Sequence, residues 1–498
     1  MRNRKLRADT LTRIEQEKTP HIYVSGLEAE SESKQTIPIH NPATREFIGR
    51  TPAGVSKDVD KAVDSATRAQ RDRWRRLSAT DRGHLLWMIA EAIRRSGEDL
   101  AILESLQTGK TFREVFHQDL AQGIAALRYY SGWVGRLCGE SYDLGAEGLG
   151  VVLEEAHPVV GAILPWTQPL GMALRKIAAA LAAGSAIILK PPEQAPLAVL
   201  RAAEIMHDAG LPPGIVNVVP GFGEQAGAAM TEHSGISMMT FGGTIETARR
   251  VLLGAARSNL KPVHLELGGK SAAIVFQDGE LKTALMAVAN SIFTSRCTSN
   301  TACARLLIHE SLYEEAASTL AARGRSIVLG DPLDEHTELG SMISENHLKT
   351  VLGYIELGRK EGAKVVVGGA RDVTRARADG CYVLPTAFID VSPDMRIARE
   401  EIRGPVLTVH PFRTEDQALH IANDTDYGMS TALFTRDVVR AQAFARDLRS
   451  GIVWINECDR IHAALPFGGT RLSGHGRDFG QASIAQCTHS KSIYFPSS

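Results

Sequence analysis

Five short apolar runs, at residues 159–164, 186–189, 215–219, 238–241 and 263–265, are separated by helical stretches such as 196–209 and 247–256. Strands joined by connections of that length cannot be hairpins and pair in parallel, so the first half of the chain reads as a βαβ succession. A second series begins at 271–276 and runs through 306–309, 365–367 and 452–455, which gives two α/β domains with helices covering parallel sheets. Upstream, Val59, Ala62, Val63, Ala66 and Ala69 fall on one helical face, and 85–93 continues an amphipathic pattern. Residues 137–156 and 483–495 alternate as strands do, with no helix attached. The longest apolar run, 177–189, lies between Lys176 and Lys190 and is too short to span a bilayer, so it reads as a buried helix turning into a buried strand.

Length and charge bound the function. A chain of 498 residues implies two or three domains, and 44% hydrophobic with 23% charged residues is a globular balance. A net charge of -1 gives no global pull toward nucleic acid or an anionic membrane. Six cysteines without metal-ligand or disulfide-scaffold spacing point to a reducing compartment, and the expectation is cytoplasmic. The first twenty residues are basic but lack the apolar core of a signal peptide, so 1–20 reads as a charged N-terminal extension.

Ordered motifs cover most of the chain: Asn41-Pro42-Ala43-Thr44, Pro165-Trp166-Thr167-Gln168-Pro169, Lys190-Pro191-Pro192-Glu193, Glu266-Leu267-Gly268-Gly269-Lys270, Glu400-Glu401-Ile402-Arg403-Gly404-Pro405 and Pro466-Phe467-Gly468-Gly469. Together they resemble the aldehyde dehydrogenase superfamily. The resemblance implies an aldehyde dehydrogenase-like α/β fold of two Rossmann-like parallel-sheet domains plus a small β oligomerisation element. It divides the chain into an NAD-binding domain (1–136 and 157–265), a catalytic domain (266–470) and oligomerisation strands (137–156 and 483–498). A homodimer or homotetramer follows, acting on an aldehyde or related carbonyl compound.

The resemblance assigns to the dinucleotide Leu164, Pro165 and Trp166, the pair Lys190 and Glu193, then Gly223, Phe241, Thr244, Leu267, Glu401 and Arg403. A carboxylate at Glu193 accepts the hydroxyls of an adenine ribose and repels a 2′-phosphate, which favours NAD over NADP. Thr244 follows two glycines at a helix start, where a hydroxyl and backbone donors suit a pyrophosphate. Arg403 stands where the family keeps a phenylalanine on the second ribose, and it brings a permanent charge.

The implied reaction needs a thiolate, an oxyanion hole, a hydride acceptor and a carboxylate that activates water. Glu266, at a strand end, matches the general base. Thr167 replaces the asparagine whose amide donates to the oxyanion, and Gln168 is the neighbouring amide that would have to reach inward. The nucleophile position, 34 residues after Glu266 and five before Arg305, is Asn300, whose amide forms no thiohemiacetal. Cys297 and Cys303 each lie three residues away, and Cys297 follows Arg296, a cation able to lower a thiol pKa. Three readings stand: a dehydrogenase with a displaced thiol at Cys297, an enzyme of the same fold doing non-covalent chemistry through Asn300, Thr167 and Glu266, and a non-catalytic binding subunit. His462 and His475 read as surface histidines.

Overall fold

The computed structural model describes residues 21–374 and 377–497; the charged segment 1–20 and the side chains of Ser295 and Arg296 fall outside it. The first sheet has seven strands, in the order Val263–Glu266, Met238–Gly242, Val159–Ile163, Ala186–Lys190, Val216–Val218, Ile22–Val24 and Leu27–Ala29. The five strands expected from the apolar runs pair in parallel. The two short N-terminal strands add an antiparallel edge.

The second sheet also has seven strands, ordered Lys364–Val367, Thr386–Ile389, Val406–Phe412, Arg305–His309, Ala272–Val275, Ser430–Phe434 and Ile452–Ile455. Both of its faces are covered. Ala273 and Val275 join one apolar cluster while Ala272 and Ile274 join another, the result of strand side chains alternating between faces. Lys364–Val367 departs from the expected parallel series: it enters after a tight turn at Gly362, which has φ +101°, and runs antiparallel to its neighbour with a bulge. That edge position tolerates a strand without a crossover helix.

The third sheet is small and antiparallel, with Gly148–Ala156 between Thr488–Pro496 and Glu140–Asp143. Its C-terminal strand starts later than the alternation predicted, because Gly480–Ala485 is helical and its last turn takes in Ser483. Residues 137–139 likewise precede the first strand of the pair. The run 177–189 is a buried helix, Pro169–Ala183, followed by the buried strand Ala186–Lys190. Among the described residues no helix is long and apolar enough to cross a membrane.

Candidate active site

The strand Val263–Glu266 ends at the Gly268-Gly269 segment, where Glu401 and the Asn300 backbone approach closely. A Cβ on Gly268 would stand 2.1 Å from Glu401 Oε2, and one on Gly269 would stand 2.2 Å from the Asn300 carbonyl oxygen. This stretch therefore brings three distant segments together. Asn300 is fixed on it twice: its Nδ2 donates to the Leu267 carbonyl at 2.9 Å, and its own carbonyl accepts from Ser271 Oγ at 3.1 Å. Leu267 is held in turn by its N–H, which donates to the Ser473 carbonyl at 3.0 Å.

A narrow cleft opens here and gathers Pro165, Thr167, Glu266, Leu267, Asn300 and Arg403, with Gln168, Ser299, Ile461 and Phe467 among the rest of its wall. No cysteine lines it. Cys297 instead lines a second, smaller pocket that shares Thr167 with the cleft, beside Trp166, Lys110 and Met342. Its side chain packs in the second apolar cluster at 1% exposure, and burial pushes the thiol far above its ordinary range. Cys303 is also buried, its sulfur 2.8 Å from that of Cys458. Gln168 does not reach inward as a donor, because its Nε2 donates to Asp119 Oδ1 at 2.9 Å, and Asp119 is itself paired with the buried Lys110.

Glu266 sits in a charge cluster. Lys176 Nζ lies 3.4 Å from Oε2 and the Arg175 guanidinium 3.7 Å from Oε1, and the same two cations pair with Asp478. Arg175 is steadied by two rings, with its guanidinium carbon 5.3 Å from the Phe479 centroid and 5.9 Å from that of Phe467. Burial, then the neighbouring Asp478 carboxylate, pushes Glu266 up to about 7. Asp478 stays below the ordinary carboxylate range: burial opposes this, but Lys176 and Arg175 outweigh it. Such a carboxyl can both take and return a proton near neutral pH. Lys176, Arg175 and Asp478 escape a reading of sequence spacing because Lys176 and Asp478 are 302 residues apart.

The residues expected at the dinucleotide follow the strand ends of the first sheet. Leu164 donates its N–H to the Lys190 carbonyl at 3.0 Å, which ties two of these ends together. Lys190 is buried and pairs with Glu193 at 3.1 Å, while the Glu193 carboxylate keeps 33% exposure. Gly223 has open space where a Cβ would stand. Thr244 caps the helix Ile245–Arg257, accepting from the Thr247 N–H, and Phe241 is buried beneath Gly243, where any Cβ would strike its ring at 2.5 Å.

The other end is occupied by protein. Glu401 accepts the Gly269 N–H at 3.0 Å through Oε1 and pairs through Oε2 with Arg403 Nε at 3.0 Å. Arg403 also reaches the Gly243 carbonyl at 3.4 Å, bridging the two sheets. It holds a left-handed backbone, φ 55°, secured by His347 Nε2 against its carbonyl at 2.8 Å. The His347 ring packs 4.7 Å from that of Trp166, and burial with the nearby Arg403 charge lowers its pKa to about 4, so it is neutral.

Comparison with known proteins agrees with this architecture. Residues 29–493 match the Aldehyde dehydrogenase family. The mitochondrial aldehyde dehydrogenase of Rattus norvegicus is 38% identical over 474 residues, 95% of this chain and 91% of that protein. Retinaldehyde dehydrogenase 3 of Homo sapiens is 39% identical, over 95% and 92% of the two chains. The NAD+ complex of an aldehyde dehydrogenase from Bacillus cereus superposes with a TM-score of 0.93 at 35% identity, covering 96% of this chain and 97% of that one. With its two parallel-sheet domains and small antiparallel sheet, this chain belongs to the aldehyde dehydrogenase family and is an aldehyde dehydrogenase-like oxidoreductase.

Proposed function

We propose that this protein is an NAD-dependent oxidoreductase that converts an aldehyde to a carboxylic acid without a thiol adduct, acting on the hydrated aldehyde. The observation that carries this reading is the cleft itself: it joins Glu266, near neutral pKa, to Asn300 and Thr167, while Cys297 lies outside it as a buried, protonated thiol.

The residues fit a nicotinamide dinucleotide at its adenosine end. The exposed carboxylate of Glu193, oriented by Lys190, suits a ribose diol and disfavours a 2′-phosphate, and the open space over Gly223 leaves room for a flat base. Thr244 offers a hydroxyl at a helix start. At the nicotinamide end Glu401 would hold the second ribose once Arg403 releases it. The chemistry that a bound dinucleotide would supply here is a hydride acceptor.

This chain's own residues supply the rest. Glu266 takes the hydroxyl proton of the hydrate, and Lys176 with Asp478 sets how readily it does so. Asn300 and Thr167 hold the two hydroxyls: an amide and a hydroxyl each donate and accept, which suits a neutral diol better than an oxyanion. The tether of Gln168 to Asp119 leaves Thr167 as the side-chain donor of its loop. The third sheet exposes Tyr142, Leu149, Leu153, Tyr494 and Phe495, an apolar surface that supports joining of subunits into a homo-oligomer.

The test is turnover of short aliphatic and aromatic aldehydes with NAD and with NADP, comparing the wild type with Cys297→Ala. Reduced cofactor and carboxylic acid from both proteins, with NAD preferred, are expected; loss of turnover in Cys297→Ala would return a thiol to the mechanism. A second reading, a non-catalytic subunit, is favoured by the Arg403 bridge between Glu401 and Gly243. It predicts that NAD titration shows no binding even at high concentration.

A further inference from the structure

Cys303 and Cys458 are 155 residues apart, yet their sulfurs lie 2.8 Å from one another, well inside ordinary non-bonded sulfur contact. Both thiols are free and buried. The contact is built by its surroundings. Ser291, on the helix Leu281–Ile292, accepts the Cys303 N–H at 3.0 Å through Oγ and donates the same hydroxyl to Asp459, next to Cys458. Asn456 and Asp459 both hold left-handed backbones, φ 56° and 60°, so the loop that carries Cys458 is bent to deliver it.

Each of the two loops contributes to the wall of the cleft. Cys303 follows Asn300 by three residues, and Cys458 precedes Ile461, which lines the same cleft as Asn300. We propose that Cys303 and Cys458 are a modification site: they form a reversible disulfide under peroxide, and that bond fastens the Asn300 segment to the Ile461 segment.

The chemistry balances with hydrogen peroxide as oxidant. A thiol of the pair gives up its proton and its sulfur attacks one peroxide oxygen; the O–O bond breaks, the leaving hydroxide takes the proton as water, and a sulfenic acid remains. The second sulfur then displaces hydroxide from the sulfenic sulfur, the S–S bond forms, and its proton leaves with that hydroxide as a second water. Two thiols are oxidised by two electrons and one peroxide is reduced to two waters. The S–H···S contact with Cys303, burial and the Asp459 carboxylate all keep Cys458 protonated, so proximity rather than acidity selects this pair, and oxidation is slow.

The test uses the full chain, exposed to hydrogen peroxide, alkylated after denaturation and digested without reductant. Expected is one peptide carrying Cys303 joined to one carrying Cys458, lighter by two hydrogens and separated by dithiothreitol, with the link absent from Cys303→Ser and from Cys458→Ala. Hydrogen exchange should slow in residues 299–304 and 456–465 on oxidation and recover on reduction, in wild type but not in either variant. Full alkylation of Cys303 and Cys458 after peroxide, or a link made only by the exposed Cys138, would overturn the proposal. A link without any change in exchange of the two segments would overturn the claim that it fastens them. The wild-type peptide map decides the first point even if a variant fails to fold.

Discussion

The two ends of the dinucleotide path are built on opposite plans. At the adenosine end, Lys190, Glu193, Gly223 and Thr244 follow one strand end after another within the first sheet: buried Lys190 holds the part-exposed Glu193 carboxylate, Gly223 has open space beside it, and Thr244 is exposed at a helix start. At the reacting end, residues that follow both sheets are already engaged by protein: Glu401 is paired with Arg403, Arg403 reaches the Gly243 carbonyl, and Asn300 donates to the Leu267 carbonyl. The difference teaches that residues brought together from two sheets find protein partners, whereas those along the strand ends of one sheet leave open space over Gly223 and an exposed Thr244. Burial, then the Asp478 carboxylate, raises Glu266 to about 7 against the opposing pull of Lys176 and Arg175, and none of these needs a neighbouring thiol.

The most damaging change to the reacting end should be Glu266→Gln, expected to lower kcat by on the order of 10²–10⁴-fold in steady-state assays, the usual worth of a positioned base. NAD affinity at the adenosine end should be unchanged. If kcat survives, the base lies elsewhere.

Next in size is the pH profile. Glu266 is charged only above about 7, so kcat/KM should fall on the acid side of that pH, by about tenfold per unit well below it. The two neighbours act in opposite directions. Lys176→Met removes a cation that favours the carboxylate and should raise the midpoint by about one unit, whereas Asp478→Asn removes a like charge and should lower it. A midpoint that moves the same way in both variants would contradict the cluster's assigned electrostatics.

A smaller effect separates the two ends directly. Arg403→Ala frees Glu401 and the gap to Gly243, and should tighten NAD binding by about tenfold, roughly 1.4 kcal/mol, in a fluorescence or calorimetric titration. AMP, which needs only the adenosine end, should bind both proteins equally. Equal tightening of AMP would place the Arg403 effect on the whole site and dissolve the comparison.

The adenosine end was legible because its residues stand at strand ends flagged by local apolar runs, and a strand end is where an open parallel sheet collects ligands. Glu266 and Asn300 were singled out only because the motifs around them and their separation match the family that the chain resembles. The Glu266 environment was not legible, since Lys176 and Asp478 meet only after the chain has folded across 302 residues. The partners that hold Gln168 aside and bury Cys297, Asp119 and the second core, were not legible either: both depend on which face of a short turn is buried. The strands Thr386–Ile389, Val406–Phe412 and Ser430–Phe434 were not singled out, and Ser483 was read as strand where a short helix precedes the final strand.

The central claim is that oxidation here proceeds without a bond to sulfur. The measurement that tests it most directly is a single turnover with NAD and an aldehyde, followed at the nicotinamide absorbance, with intact mass of the protein quenched during the rise. NADH formation with the protein at its unmodified mass throughout is expected; a transient acyl adduct, mapped to a peptide containing Cys297, would put the thiol back into the reaction.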